Sequence, residues 1–114
     1  MSGIERTDRW IDDLLATLGA AEALVARGRE AYDADTALPL TFEALSNRVG
    51  DLATRLTAVD PARFAEPIWA QAARNRDFVV HHDDRIDREA LWQTATQGFP
   101  ELRVAAARAR GRTT

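Results

Sequence analysis

The chain has 114 residues, a length that fits one small domain spanning 1–114. It contains no cysteine, which excludes disulfides and thiolate metal sites, and its two histidines are adjacent, which does not suit structural zinc. The net charge of −3 gives no global basic footprint for nucleic acid, yet all 15 basic residues are arginine, the planar cation well suited to phosphate.

From the N-terminus onward the apolar spacing is helical. The opening segment MSGIERTDRW is charged where a leader peptide needs an apolar run, and no apolar run approaches the roughly 20 residues that span a bilayer. The expectation is a soluble, cytoplasmic protein with no membrane partner. Ile11, Leu14, Leu15, Leu18, Ala21 and Val25 recur at three and four residues and predict a first helix with one apolar stripe. Thr7 or Asp8 is its expected N-cap, and Gly28 marks where it fades. The segment EAYDADTALPL has turn chemistry, with Asp33, Asp35 and Thr36 ahead of Pro39, so Tyr32 is expected in a loop. Leu38, Phe42, Leu45, Val49, Leu52 and Leu56 then alternate four and three apart, as a bundle seam does.

Asp60-Pro61 is a helix-start signal that opens only a short turn, because Glu66-Pro67 restarts the pattern. A third helix is predicted from Ile68 to about Val80. Asp87 is the expected cap of a fourth, with Ile86 and Leu91 placed as a hydrophobic staple. Gly98 and Pro100 mark a break or kink, an Ala-rich helix follows from about Phe99 to Ala109, and the tail from about 110 to 114 is expected to fray. No alternating strand pattern appears. The predicted fold class is all-α, an antiparallel bundle of four to five helices.

Residues 74–87, RNRDFVVHHDDRID, form the densest polar stretch. They gather Arg74, Arg76 and Arg85, both histidines and four aspartates around Phe78-Val79-Val80. Arg and His together suit RNA cleavage: an imidazole moves the proton of the attacking 2′-OH or of the leaving oxygen, and a guanidinium meets charge developing on phosphorus. No cofactor or metal is needed for that chemistry. At about 100° per residue, Arg76 and His81 stand about 140° apart on an ideal helix, whereas Arg74 and His81 share a face. Spacing alone therefore favours Arg74. The plain alternative for such a stretch is the solvated end of a helix.

The order of residues points further. Arg76-Asp77, then Phe78-Val79-Val80, then His81-His82-Asp83, with a spacer to Ile86-Asp87, resembles the signature of the HepT-like branch of the HEPN superfamily. Leu91-Trp92 and Phe99-Pro100-Glu101-Leu102 are similar to that family's downstream elements. Val49-Gly50-Asp51-Leu52-Ala53 and Ile68-Trp69 are similar to its upstream ones. The resemblance runs from about Ile11 to Leu102. It implies a HEPN-like bundle that forms a homodimer, a cleft shared by the two subunits, and metal-independent endonuclease cleavage of RNA. By position it makes Arg76 the phosphate-binding residue and His81 the acid/base. Asp77, His82, Asp83, Arg74 and Asp51 become supporting residues, and Arg74 and Arg85 become candidate RNA contacts.

The same resemblance implies a toxin paired with a small nucleotidyltransferase antitoxin that adenylylates the tyrosine two residues after the histidine. Here Asp83 stands in that place, and the chain's single tyrosine is Tyr32. A catalytically silent HEPN-like binding or scaffold module that pairs with a nucleotidyltransferase is therefore the alternative, followed by a simple structural dimer. Trp10, Trp69 and Trp92 lie in apolar helical patterns and read as core or interface rather than as base-stacking platforms. The basic run Arg103, Arg108, Arg110 and Arg112 reads as a solvated helix end rather than an RNA contact. Asp12-Asp13 has no nearby ligand residues and is not expected to hold a metal.

Overall fold

The computed structural model describes residues 3–81 and 87–111, and at positions 75–81 its helical backbone. Most of the described residues are helical. In chain order they form α1 (Gly3–Val25), a short α2 (Arg29–Ala34), α3 (Ala37–Val59), α4 (Pro67–His81), α5 (Arg88–Gln93), a π-helical turn (Thr94–Gly98) and α6 (Phe99–Gly111). This is an all-α bundle, as the periodicity predicts. No helix among the described residues is long and apolar enough to cross a membrane.

The stripes seen in the sequence make the core. Ile11, Leu14, Leu18 and Ala21 of α1 face Phe42, Val49, Leu52 and Leu56 of α3, and all are buried. Each large apolar side chain removed from water there contributes about 1.5–3 kcal/mol. Side-chain pairs give the helix directions. Arg55 lies over Trp10 and Arg48 pairs with Asp13, so α1 and α3 run antiparallel. Arg110 meets Asp12 near the start of α1, and Arg103 meets Glu22 near its end, so α6 also runs against α1. Trp69 of α4 is buried and packs edge-on against Phe64, their rings 4.8 Å apart, in the connection between α3 and α4.

Several local expectations change. Thr7 does not cap α1; it lies inside the helix, and its hydroxyl donates back to the carbonyl of Gly3 at 2.7 Å. The segment after Gly28 is not a loop but the short helix α2. It buries Tyr32 completely among Phe42 and Trp92, at ring distances of 5.3 and 5.0 Å. Gly28, at φ 93°, supplies the left-handed residue that lets the chain reverse between α1 and α2. The Asp35 carboxylate accepts from the N–H of Ala37 at 2.9 Å and starts α3. Asp60 opens a single turn, accepting from the Arg63 N–H at 3.2 Å. Asp87 caps α5 as expected, accepting from the Ala90 N–H at 2.9 Å. Its expected staple partner, Ile86, lies outside the described residues.

The break expected at Gly98-Pro100 is instead one π-helical turn between α5 and α6. Pro100 is the second residue of α6, directly after the π turn. The arginines of α6 are not simply solvated. Arg108 pairs with Glu66 at 3.0 Å, and Arg110 pairs with Asp12 at 2.9 Å and Asp8 at 3.4 Å. Opposite them, Arg63 donates to the carbonyl of Ala109 at 2.7 Å and satisfies an orphan acceptor of the helix end. Arg112 lies outside the described residues.

Candidate active site and the groove beside it

The predicted site residues sit mostly on α4. The Glu66-Pro67 start fixes where that helix begins, and Ile68, Trp69 and Ala72 turn one side of it toward α3 and α6. The helix continues unbroken from Pro67 to His81. It therefore does not end between Arg76 and His81, the condition under which one helix would bring them together. His81 is its last residue. On this backbone, positions 74 and 81 lie about 20° apart and positions 76 and 81 about 140° apart. The structure sets Arg76, Asp77 and His81 on the terminal part of one helix. Their side chains, and all of His82, Asp83 and Arg85, lie outside the described residues.

Arg74 is exposed and stands at the edge of a groove of about 510 Å³. One wall is α4, through Gln71 and Ala72. The floor comes from Val49 of α3 and Leu102 of α6, and the far wall from Thr94 and Gly98 of the π turn. Ser46, only 3 % exposed, adds a hydroxyl at depth, and Glu101 adds a carboxylate. This groove was missed in the sequence. Gly98 reads in the sequence as a helix break, whereas in the fold it is part of the groove lining.

Asp51 is exposed on α3, outside the arc that carries the buried Val49, Leu52 and Leu56, and does not line the groove. Trp92 is half-buried under Arg29, and Trp10 is half-buried beside Arg6 and Arg55, with guanidinium-to-ring distances of 5.7, 5.3 and 5.9 Å. The rings of Tyr32, Trp69 and Trp92 are packed against aromatic neighbours.

Tyr32 bears directly on the expected chemistry of control. Its side chain is fully buried, and its hydroxyl donates to the carbonyl of Arg88 at 2.6 Å. Arg88 returns a bond from its guanidinium to the carbonyl of Tyr32 at 3.1 Å. Burial pushes the phenol pKa up, and the nearby Arg88 and Arg29 oppose that shift. Glu89 and Asp33 hold Arg29 between them, at 2.8 and 2.9 Å, and raise its pKa. Among the described residues, no group of three or more His, Cys, Asp or Glu is placed to hold a metal ion. Asp12 and Asp13 instead face Arg110 and Arg48.

Residues 59–109 match the family model described as Ribonuclease HepT-like, and over that stretch, from the end of α3 through most of α6, the sequence is HepT-like. The match includes Arg76, His81 and the groove walls of α4, the π turn and α6. It supports a function of the ribonuclease type. Comparison with curated proteins and with solved structures gave no match.

Proposed function

We propose that the protein is a metal-independent RNA endonuclease, and that Arg76 and His81 carry the cleavage. The observation behind this reading is the family match, which contains both residues on one continuous helix. In the proposed reaction the ribose 2′-oxygen attacks the adjacent phosphorus and loses its proton to an imidazole. The bond from phosphorus to the 5′-oxygen breaks, and that oxygen takes up a proton. Arg76 neutralises charge on the non-bridging oxygens, and His81 serves the proton transfers. The 140° between the two positions favours a site completed by a second copy, in which Arg76 of one subunit works with His81 of the other. Asp77 is a supporting candidate on the same helix, Asp83 and Arg85 are supporting candidates that lie outside the described residues, and Asp51 belongs to α3.

The experiment is cleavage of single-stranded RNA in excess EDTA by the wild-type protein and by His81→Ala and Arg76→Ala. Each substitution is expected to slow cleavage by about a hundredfold or more without changing the melting temperature. If Arg74→Ala removes activity and Arg76→Ala does not, the assignment is displaced by two residues. If the wild-type protein cleaves no RNA, the silent scaffold reading replaces this one.

The proposed cellular role is the toxin of a pair with a small nucleotidyltransferase. Tyrosine adenylylation requires an accessible phenol, and the chain's single tyrosine is sealed in the core. Neutralisation is therefore proposed to act by masking or through another acceptor. Incubation with the cognate nucleotidyltransferase and ATP is expected to leave Tyr32 and Asp83 without AMP, as read by mass spectrometry of the intact protein and its peptides.

A further inference from the structure

The groove beside α4 has walls of two kinds. Val49 and Leu102 are apolar residues of its lining, whereas Ser46, Gln71, Thr94 and Glu101 are polar ones. A cavity of about 510 Å³ that sets polar residues around an apolar floor has the dimensions of a small-molecule site. Its far wall is a π-helical turn, a costly departure from regular helix that recurs at functional sites. Gly98 keeps that wall bare: a Cβ built there meets nothing within 4 Å.

Charge and position identify the occupant. Arg74 stands at the groove edge, on the same face of α4 as position 81 and about 10 Å before it along the axis. A guanidinium there suits a phosphate adjoining whatever fills the groove. The Glu101 carboxylate is an acceptor without a donor. It matches the exocyclic amino group of a base and repels the carbonyl edge of uracil. Single-stranded RNA presents unstacked bases of this kind, packed on apolar side chains and read at their edges.

We propose that the groove binds an unstacked RNA base that carries an exocyclic amino group, next to the phosphodiester handled at the end of α4. Arg74 holds the adjoining phosphate, and Glu101 sets the preference for cytosine over uracil. This inference rests on the ribonuclease reading for its placement, and its test does not depend on cleavage.

Fluorescence anisotropy with 2′-O-methyl oligonucleotides, which cannot be cut, measures binding alone. The wild-type protein is expected to bind oligo(C) about tenfold more tightly than oligo(U), and both more tightly than an abasic strand of equal length. Gly98→Leu fills the groove from a helical position with open space around it, and is expected to remove the dependence on bases. Glu101→Gln keeps the shape and is expected to bring oligo(C) and oligo(U) together. Equal binding of all three strands by the wild type overturns the proposal. So does a folded Gly98→Leu protein that still discriminates. Should Gly98→Leu fail to fold, Glu101→Gln decides alone. A second copy seated on the groove is recognised by Gly98→Leu splitting an oligomer while base discrimination persists, which also overturns it. Cleavage of ordinary RNA, followed in parallel, separates the two readings. Lost cleavage with retained base preference removes the ribonuclease reading, and retained cleavage without base preference removes this one.

Discussion

Two regions of the molecule carry the same cation in opposite circumstances. At one end, Arg63, Arg108 and Arg110 reach across the join of α1, α6 and the turn before α4, and meet Asp8, Asp12, Glu66 and the Ala109 carbonyl of α6. Beside the groove, Arg74 is exposed at an edge, on the helix that carries Arg76 and His81. The linear sequence presents the α6 arginines as the richer basic run. Folding uses them to hold the bundle closed and leaves a sparser arginine next to the candidate chemistry. Local density of positive charge is thus a poor guide to an RNA surface when acidic partners arrive from distant segments.

That contrast is open to attack in order of expected effect. Arg63→Ala removes a charged donor, 16 % exposed, from both Asp8 and the Ala109 carbonyl. A loss of about 1.5–3 kcal/mol is expected in denaturant unfolding, with RNA affinity unchanged. Arg74→Ala is expected to behave the other way: the melting temperature holds while RNA affinity falls about tenfold, equivalent to about 1.4 kcal/mol. If Arg74→Ala destabilises the fold and spares RNA binding, the distinction between the two regions collapses.

A smaller effect comes from the aromatic corner. Tyr32→Phe leaves the Arg88 carbonyl without its donor and is expected to cost about 1 kcal/mol at neutral pH. The pH dependence follows from the raised phenol pKa. Below about pH 10 the tyrosine is protonated in both states and adds no pH dependence. Above it the unfolded chain ionises first, so stability falls as pH rises toward the folded pKa. With a single tyrosine in the chain, ultraviolet titration of the phenolate assigns this transition directly, and Tyr32→Phe is expected to flatten the alkaline loss. The smallest effect belongs to Arg108→Ala. Its exposed pair with Glu66 contributes at most about 1 kcal/mol, and the salt dependence of RNA binding is expected to stay the same.

What the sequence made readable follows from the range of the forces involved. The four long helical segments were legible because burial of one face imposes a spacing of three and four, and Asp87 was legible because capping acts within one turn. The short α2 was not. Its Tyr-Asp-Ala-Asp run has turn chemistry, and only the long-range packing of Tyr32 on Phe42 and Trp92 makes it helical. The ion pairs of α6 were hidden for the same reason, since their acidic partners lie as far away as Asp8 and Asp12. Of the candidate site, the helix and the residue order were legible, together with the angular mismatch between Arg76 and His81. The groove was not, because it is made by three segments far apart in sequence and by a change of helical pitch that no composition signal announces.

That change of pitch sets the phase between the two ends of the last helical stretch. α5 directs Leu91 and Trp92 toward the aromatic corner, while α6 directs its arginines toward the acidic groups of α1. Winding all five residues of Thr94–Gly98 into regular α-helix would turn everything beyond them by roughly one residue's angle, about 100°. Arg103 and Arg110 would swing off Glu22 and Asp12, and Leu102 would leave the groove floor. The π turn absorbs its extra residue without turning the helix, so a return to regular pitch beside the groove would be felt at the opposite end of the bundle.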